Sequence, residues 1–133
     1  MNLVFDENFS YRLSNALKEL EVGHNDGVKV FHLEELGGRG MPDQEWIPKV
    51  AKTNGIVITQ DLNIHKTRAL SEVCEKNRLS LILFKPPKKR HYNYWEWVEI
   101  VVGNWRGIKD EVRTSKNRFV IEVSERSIKQ LQP

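Results

Sequence analysis

The sequence predicts an α/β fold with a doubly wound, mostly parallel sheet in three layers, and two observations support this fold class. Four short apolar runs are typical of buried strands, and stretches with helical spacing separate them, so that the order is βαβαβαβ. Strands that alternate with helices pair in parallel through right-handed crossovers. The length of 133 residues suits one domain, with a core over residues 1–84 and a basic helix and tail over residues 85–133.

The four predicted strands are residues 3–5, 28–33, 56–59 and 79–84. Asn8 or Ser10 is placed to cap the first helix. The second helix follows a glycine-rich loop over residues 37–42; Asp43 is placed to cap it, and it is expected to continue to Ala51. Pro48 leaves an alternative open, in which the regular helix begins only at that proline.

The C-terminal third predicts a long aromatic-rich helix followed by extended chain. The expected core face of the helix consists of Tyr94, Val98, Val101, Trp105 and Ile108. Residues 118–124 alternate apolar and polar side chains, which predicts an edge strand or a strand-like tail.

Composition narrows the functional classes. No apolar run approaches the length of a membrane span, and the N-terminus lacks the features of an export signal, so no membrane association is expected. The single cysteine, Cys74, cannot form an internal disulfide and is expected to be buried, which favours the cytoplasm. Zinc-ligand spacing, a dinucleotide fingerprint and a nucleophile elbow are all missing from the sequence.

Charge is distributed unevenly along the chain. Residues 1–84 carry 10 Lys and Arg against 12 Asp and Glu, whereas residues 85–118 carry 9 against 4. Such a basic segment suits an anionic polymer, although solvated loops often have the same composition. The candidate contacts to a nucleic-acid backbone are Lys85, Lys88, Lys89 and Arg90.

Acidic residues follow the ends of two predicted strands: Asp6 directly after the first, and Asp61 two residues after the third. Asp43, at a helix start, can reach the same sheet edge, which is where open parallel sheets bind ligands. Carboxylates that converge repel one another unless a cation neutralises them, and hard oxygen ligands suit Mg²⁺ or Mn²⁺. Each acid also has a structural interpretation, as a helix cap or an Asx-turn. Glu7 and Glu45 are weaker candidates, and strand alternation predicts that Glu7 points away from Asp6.

Three segments carry a resemblance to a known family: residues 3–8 (LVFDEN), 43–48 (DQEWIP) and 56–61 (IVITQD). In this order and spacing the sequence resembles PIN-like ribonuclease domains, and specifically the small VapC-type toxins, over about residues 3–84. The resemblance implies Asp6, Asp43 and Asp61 as catalytic acids and metal ligands for Mg²⁺ or Mn²⁺, and cleavage of RNA by activated water. It further implies a type II toxin–antitoxin pair, with a homodimer neutralised by a small antitoxin protein. Asn63 stands where many relatives have a further acid, and as a metal ligand it contributes an amide oxygen without charge.

Three functions therefore remain open at this stage. The first is a metal-dependent endoribonuclease of the toxin type, and the second is a catalytically weak PIN-like module that binds RNA or a protein. The third is a receiver-like signalling domain with Asp61 as phosphoacceptor and Lys85 after the last parallel strand, but it lacks a full acid pair after the first strand.

Overall fold

The structure is a computed structural model that describes residues 1–88 and 90–133. The strands are β1 (Asn2–Phe5), β2 (Lys29–His32), β3 (Gly55–Thr59), β4 (Ser80–Phe84), β5 (Val120–Ser124) and β6 (Ser127–Leu131). The helices are α1 (Tyr11–His24), α2 (Asp43–Lys52), α3 (Asn63–Lys66), α4 (Arg68–Lys76) and α5 (Tyr94–Thr114), and a 3₁₀ turn covers Leu33–Leu36.

All six strands join one sheet in the order β2-β1-β3-β4-β5-β6. The first five strands are parallel, and β6 pairs antiparallel with β5. The apolar runs of β1, β3 and β4 are buried on both faces, as central strands of a parallel sheet require. The predicted mostly parallel α/β fold is therefore confirmed.

Two helical layers cover the sheet, because neighbouring strand residues point to opposite faces. Leu3 and Phe5 pack with residues of α1 and α5, whereas Val4 packs with residues of α2 and with Cys74 of α4. Burial raises the pKa of the Cys74 thiol to about 11, as expected for a cysteine that acts as a small core residue.

Local signals set the helix starts. Ser10 caps α1 through its side-chain oxygen, which accepts a hydrogen bond from the backbone N–H of Arg12 at 3.1 Å. Helix α2 runs through Pro48 as one element, so the alternative start at that proline is wrong. Asn93 and Glu96 form a reciprocal capping box at the start of α5.

The C-terminal strands differ from the expectation. Residues of β5 lie inside the sheet rather than at its edge, because Val120, Ile121 and Val123 are fully buried between β4 and β6. The edge strand is β6, whose half-exposed residues carried no clear strand signal. The strand predicted within residues 118–124 therefore forms, but it lies next to the edge strand instead of at the edge.

A buried group of charges joins α1 to α5. Lys109 donates to Glu21 at 2.6 Å and to Asp26 at 3.2 Å, and the indole N–H of Trp105 donates to the same Glu21 oxygen at 2.8 Å. Arg113 adds a hydrogen bond to Asp26 at 2.6 Å and holds the pKa of that carboxyl well below its usual range. We name these five residues the α1–α5 charge cluster. Because Glu21 and Lys109 are buried, each depends on the other for compensation.

Within the described ranges, none of the helices combines the length and the apolar character that crossing a bilayer requires.

Candidate active site

The strand order reverses at β1: β2 lies on one side of this strand and β3 on the other. In open α/β sheets, ligands bind outside the carboxyl ends of the strands at such a switch point. Asp6 follows β1 and Asp61 follows β3, so both predicted acids lie at this position.

A pocket of about 100 Å³ opens at the switch point and contains four carboxylates. It brings together the three predicted acids and Glu7, and its remaining walls are polar and apolar side chains. The full lining is Asp6, Glu7, Asn8, Leu33, Met41, Asp43, Trp46, Thr59, Asp61 and Ile64. Asn63 and Glu45 are exposed and do not line this acidic pocket.

Asp6 is the most deeply placed of these acids, with 8% of its surface exposed. Burial raises the pKa of Asp6 to about 6, against the opposing effect of the hydrogen bond from the Thr59 hydroxyl. The backbone N–H of Asn8 also donates to Asp6, at 3.1 Å, and the nearby charge of Asp61 raises the pKa further. Asp6 is therefore a carboxylate at the switch point whose ionisation is costly.

Thr59 connects the two acids that follow the strands. It is the last residue of β3 and is fully buried. Its hydroxyl donates to Asp6 and accepts a hydrogen bond from the backbone N–H of Asp61 at 2.9 Å. Thr59 was not predicted as a site residue, and the signal available for it in the sequence was its place directly before Gln60 and Asp61.

The structural interpretations of the acids hold only in part. One oxygen of Asp61 accepts the backbone N–H of Asn63 at 3.0 Å, which is the predicted Asx-turn. Asp43 is the first residue of α2 rather than its cap, and its carboxylate accepts the indole N–H of Trp46 at 2.7 Å. Asp6 does not cap α1, because Ser10 does.

The expectation that Glu7 points away from Asp6 is wrong. Because β1 ends at Phe5, strand alternation no longer governs the next two residues, and both acids line the pocket. The carboxylate of Glu7 accepts the backbone N–H of Gly40 at 2.7 Å, which fixes the glycine-rich loop beside the pocket.

Across residues 1–88 and 90–133, no three His, Cys, Asp or Glu side chains come together in an arrangement that could by itself hold a metal ion. Hydrogen bonds engage one oxygen of Asp43, from the Trp46 indole, and one oxygen of Asp61, from the backbone of Asn63. Any cation would therefore need part of its coordination from water or substrate oxygens.

The predicted basic patch divides in the structure. Lys85 and Lys88 line a cleft of about 460 Å³ at the same edge of the sheet as the acidic pocket. The cleft also holds Arg126, Lys129 and two carboxylates, Glu122 and Glu125, and Glu122 lies 3.4 Å from the Lys129 amine. Arg90 instead forms a salt bridge with Glu96 at 2.7 Å. Lys89 lies outside the described residues.

Comparison with known proteins found no match among curated proteins and none among solved structures. A family model described as PIN like domain matches residues 1–85, a segment that holds β1 to β4 and every carboxylate of the acidic pocket. This segment is more than half of the chain, and the chain therefore belongs to the family of PIN-like domains.

Proposed function

We propose that the protein is a metal-dependent endoribonuclease. The observation that carries this proposal is the acidic pocket at the switch point, in which a desolvated carboxylate, Asp6, lies beside Asp61. Membership of the PIN-like family supports a nuclease-type function for such a pocket.

The residues of the pocket suit a hard divalent cation. Asp6, Asp43 and Asp61 supply carboxylate oxygens, the ligand type that Mg²⁺ and Mn²⁺ prefer, and Asn63 would add at most an uncharged oxygen after a change of side-chain position. When bound, such a cation lowers the pKa of a coordinated water so that it can act on a phosphodiester at neutral pH. The high pKa of Asp6 is what a site that awaits a positive charge would show.

The chain's own residues prepare this site. Thr59 holds Asp6 and the backbone of Asp61 in one hydrogen-bonded unit, which limits the reorganisation of the two acids. Glu7 anchors the glycine-rich loop through Gly40, so that Met41 closes one wall of the pocket against bulk water.

The RNA backbone would lie across the cleft that Lys85 and Lys88 line. Lys85 follows β4, and Asp61 follows the neighbouring strand β3, so the cleft and the pocket occupy one edge of the sheet. Lys85, Lys88 and Arg126 supply positive charge for phosphate contacts.

The direct test is cleavage of a single-stranded RNA in Mn²⁺. We expect Asp61→Asn and Asp43→Asn each to lower the cleavage rate by about a hundredfold or more, because each removes charge from the pocket. Glu45→Gln is the matched control, since Glu45 lies two residues after Asp43 on α2 and does not line the pocket. Equal activity in the Asp61→Asn variant and the parent would contradict the proposal.

The resemblance to VapC-type toxins extends the proposal to a type II toxin, acting as a homodimer and inhibited by a small antitoxin. The simplest inhibitor would insert an Arg or Lys among Asp6, Asp43 and Asp61. Expression of the chain alone should then slow bacterial growth, and co-expression of the neighbouring small gene should restore it. Arrest that persists in the Asp61→Asn variant would exclude the nuclease as its cause.

A PIN-like module that binds RNA or a protein without cleavage is the second candidate. It is favoured by the lack of a ready three-ligand metal group among the described residues and by the uncharged Asn63. RNA binding that is unaffected by EDTA, together with no cleavage in Mn²⁺, would select this function.

A further inference from the structure

A groove of about 290 Å³ lies next to the acidic pocket, between the first turns of α1 and α5. Its volume is near the lower limit of pockets that hold small organic ligands, which is about 300 Å³. All eight of its lining residues are uncharged. They are Asn8, Phe9, Ser10, Leu13, Gln60, Tyr94, Trp97 and Val98.

The groove and the acidic pocket share a wall. Asn8 lines both, and the side-chain amide of Gln60 donates to the backbone carbonyl of Asn8 at 2.8 Å. Gln60 lines the groove, whereas its chain neighbours Thr59 and Asp61 line the pocket. A ligand that crosses this wall would reach the acids with one part and the groove with the next.

The aromatic wall of the groove is held in place. Trp97 packs edge-to-face against Phe9, Phe84 and Tyr92, with ring centroids 5.0 to 6.2 Å apart. Tyr94 occupies the first position of α5, directly after the Asn93 capping residue. These contacts leave little freedom to the backbone that carries both rings.

The helical spacing predicts that Tyr94 belongs to the core. In the structure, half of its surface is exposed, so this prediction is wrong. The Tyr94 ring packs edge-to-face on its neighbour Trp95, with centroids 5.6 Å apart, and its exposed part offers a surface beside the uncharged groove on which a flat, neutral partner can stack. The side chains of Asn8 and Gln60 add amide groups to the lining, which suits a partner with hydrogen-bonding edges better than a purely apolar one.

We propose that this groove binds one base of a single-stranded RNA, stacked on Tyr94, while the adjoining phosphodiester lies over the acidic pocket. The inference rests on the proposed function for the identity of the polymer. Stacking on an aromatic side chain tolerates any base, and polar groups at the rim contact the base edge. The substrate is therefore unpaired RNA, because a base in a duplex cannot enter the groove.

The test is binding of a fluorescein-labelled single-stranded RNA of about ten nucleotides, measured by anisotropy in Mn²⁺. Asp61→Asn is present in every variant, so that cleavage does not contribute while a cation still offsets the remaining acids. We expect Tyr94→Ala to weaken binding by about tenfold, the effect of one lost stacking contact, and Tyr94→Phe to keep parental affinity. Tyr11→Ala is the matched control, because Tyr11 is a tyrosine at the first position of α1 with similar exposure that does not line the groove.

A second ligand separates stacking from a general loss of structure. For an oligonucleotide of the same length with abasic sites throughout, Tyr94→Ala should leave the affinity unchanged. Equal weakening for both ligands, or equal effects of the Tyr94 and Tyr11 substitutions, would overturn the inference, as would failure of the parent to bind the RNA. Tyr94-dependent binding without cleavage would support the groove and contradict only the nuclease. Cleavage with binding indifferent to Tyr94 would contradict only the groove.

Discussion

Replacement of Asp6 by Asn should stabilise the metal-free protein at neutral pH and have little effect at acidic pH. Burial raises the pKa of Asp6 from 3.8 to about 6, so folding favours the protonated carboxyl. The contribution of the Asp6 carboxyl to the free energy of unfolding is therefore fully present below about pH 4 and is lost as the pH rises through about 6. Between low and high pH this contribution changes by about 3 kcal/mol, at about 1.4 kcal/mol for each unit by which the pKa is raised.

Denaturant unfolding in EDTA at about pH 4.5 and about pH 7.5 measures this difference. The free energy of unfolding of the Asp6→Asn variant, relative to the parent, should rise by about 2 kcal/mol between the two pH values, since part of the window lies below the lower one. Glu19→Gln, which removes an exposed carboxylate from α1, controls for the change in net charge. A difference that does not depend on pH would show that Asp6 is not desolvated in the folded protein. Addition of Mn²⁺ should stabilise the parent more than the variant.

Five further substitutions test other parts of the structure. Asn63→Asp should tighten Mn²⁺ binding several-fold by calorimetry, because a new charge beside the pocket contributes about 1 kcal/mol; unchanged affinity would place this residue away from the cation. Replacing Lys85 and Lys88 by Gln should each lower the slope of log affinity for RNA against log salt by about one, and an unaltered slope would exclude phosphate contacts. Lys109→Met should lower the free energy of unfolding by about 3 to 5 kcal/mol, because it leaves a buried carboxylate without its cation; a loss below about 1 kcal/mol would mean that water enters the cluster. Gly103→Ala, at an exposed position of α5 with no atom within 4 Å of the added methyl, should raise stability by about 1 kcal/mol, and a decrease would reveal a contact there.

The sheet and the position of the pocket could be predicted because both follow from strong local signals. The runs at residues 3–5 and 56–59, which precede the two acids, contain only apolar or β-branched residues, and such runs are typical of central strands covered on both faces. Parallel pairing then places the ends of β1 and β3 at one edge, so the acids that follow these strands must be near each other.

The positions of several individual side chains and of the last strand could not be predicted from the sequence, because they depend on tertiary contacts. Tyr94 fits the apolar face of α5 by its spacing, but the helix begins there, beyond the edge of the core. Glu7 follows Asp6 by one residue, and its direction depends on where β1 ends. The strand Ser127–Leu131 has polar residues at most positions, so only its pairing with β5 defines it as a strand.

The α1–α5 charge cluster has a consequence for the order in which the chain can fold. Glu21 and Lys109 are separated by 88 positions in the sequence, so this contact is unavailable until most of the polypeptide has left the ribosome. Until β5 arrives, β4 presents an open parallel edge made of Ser80–Phe84, and such edges attract other strands. Folding that waits for its C-terminal third is expected to be slow and to require protection of this edge during synthesis.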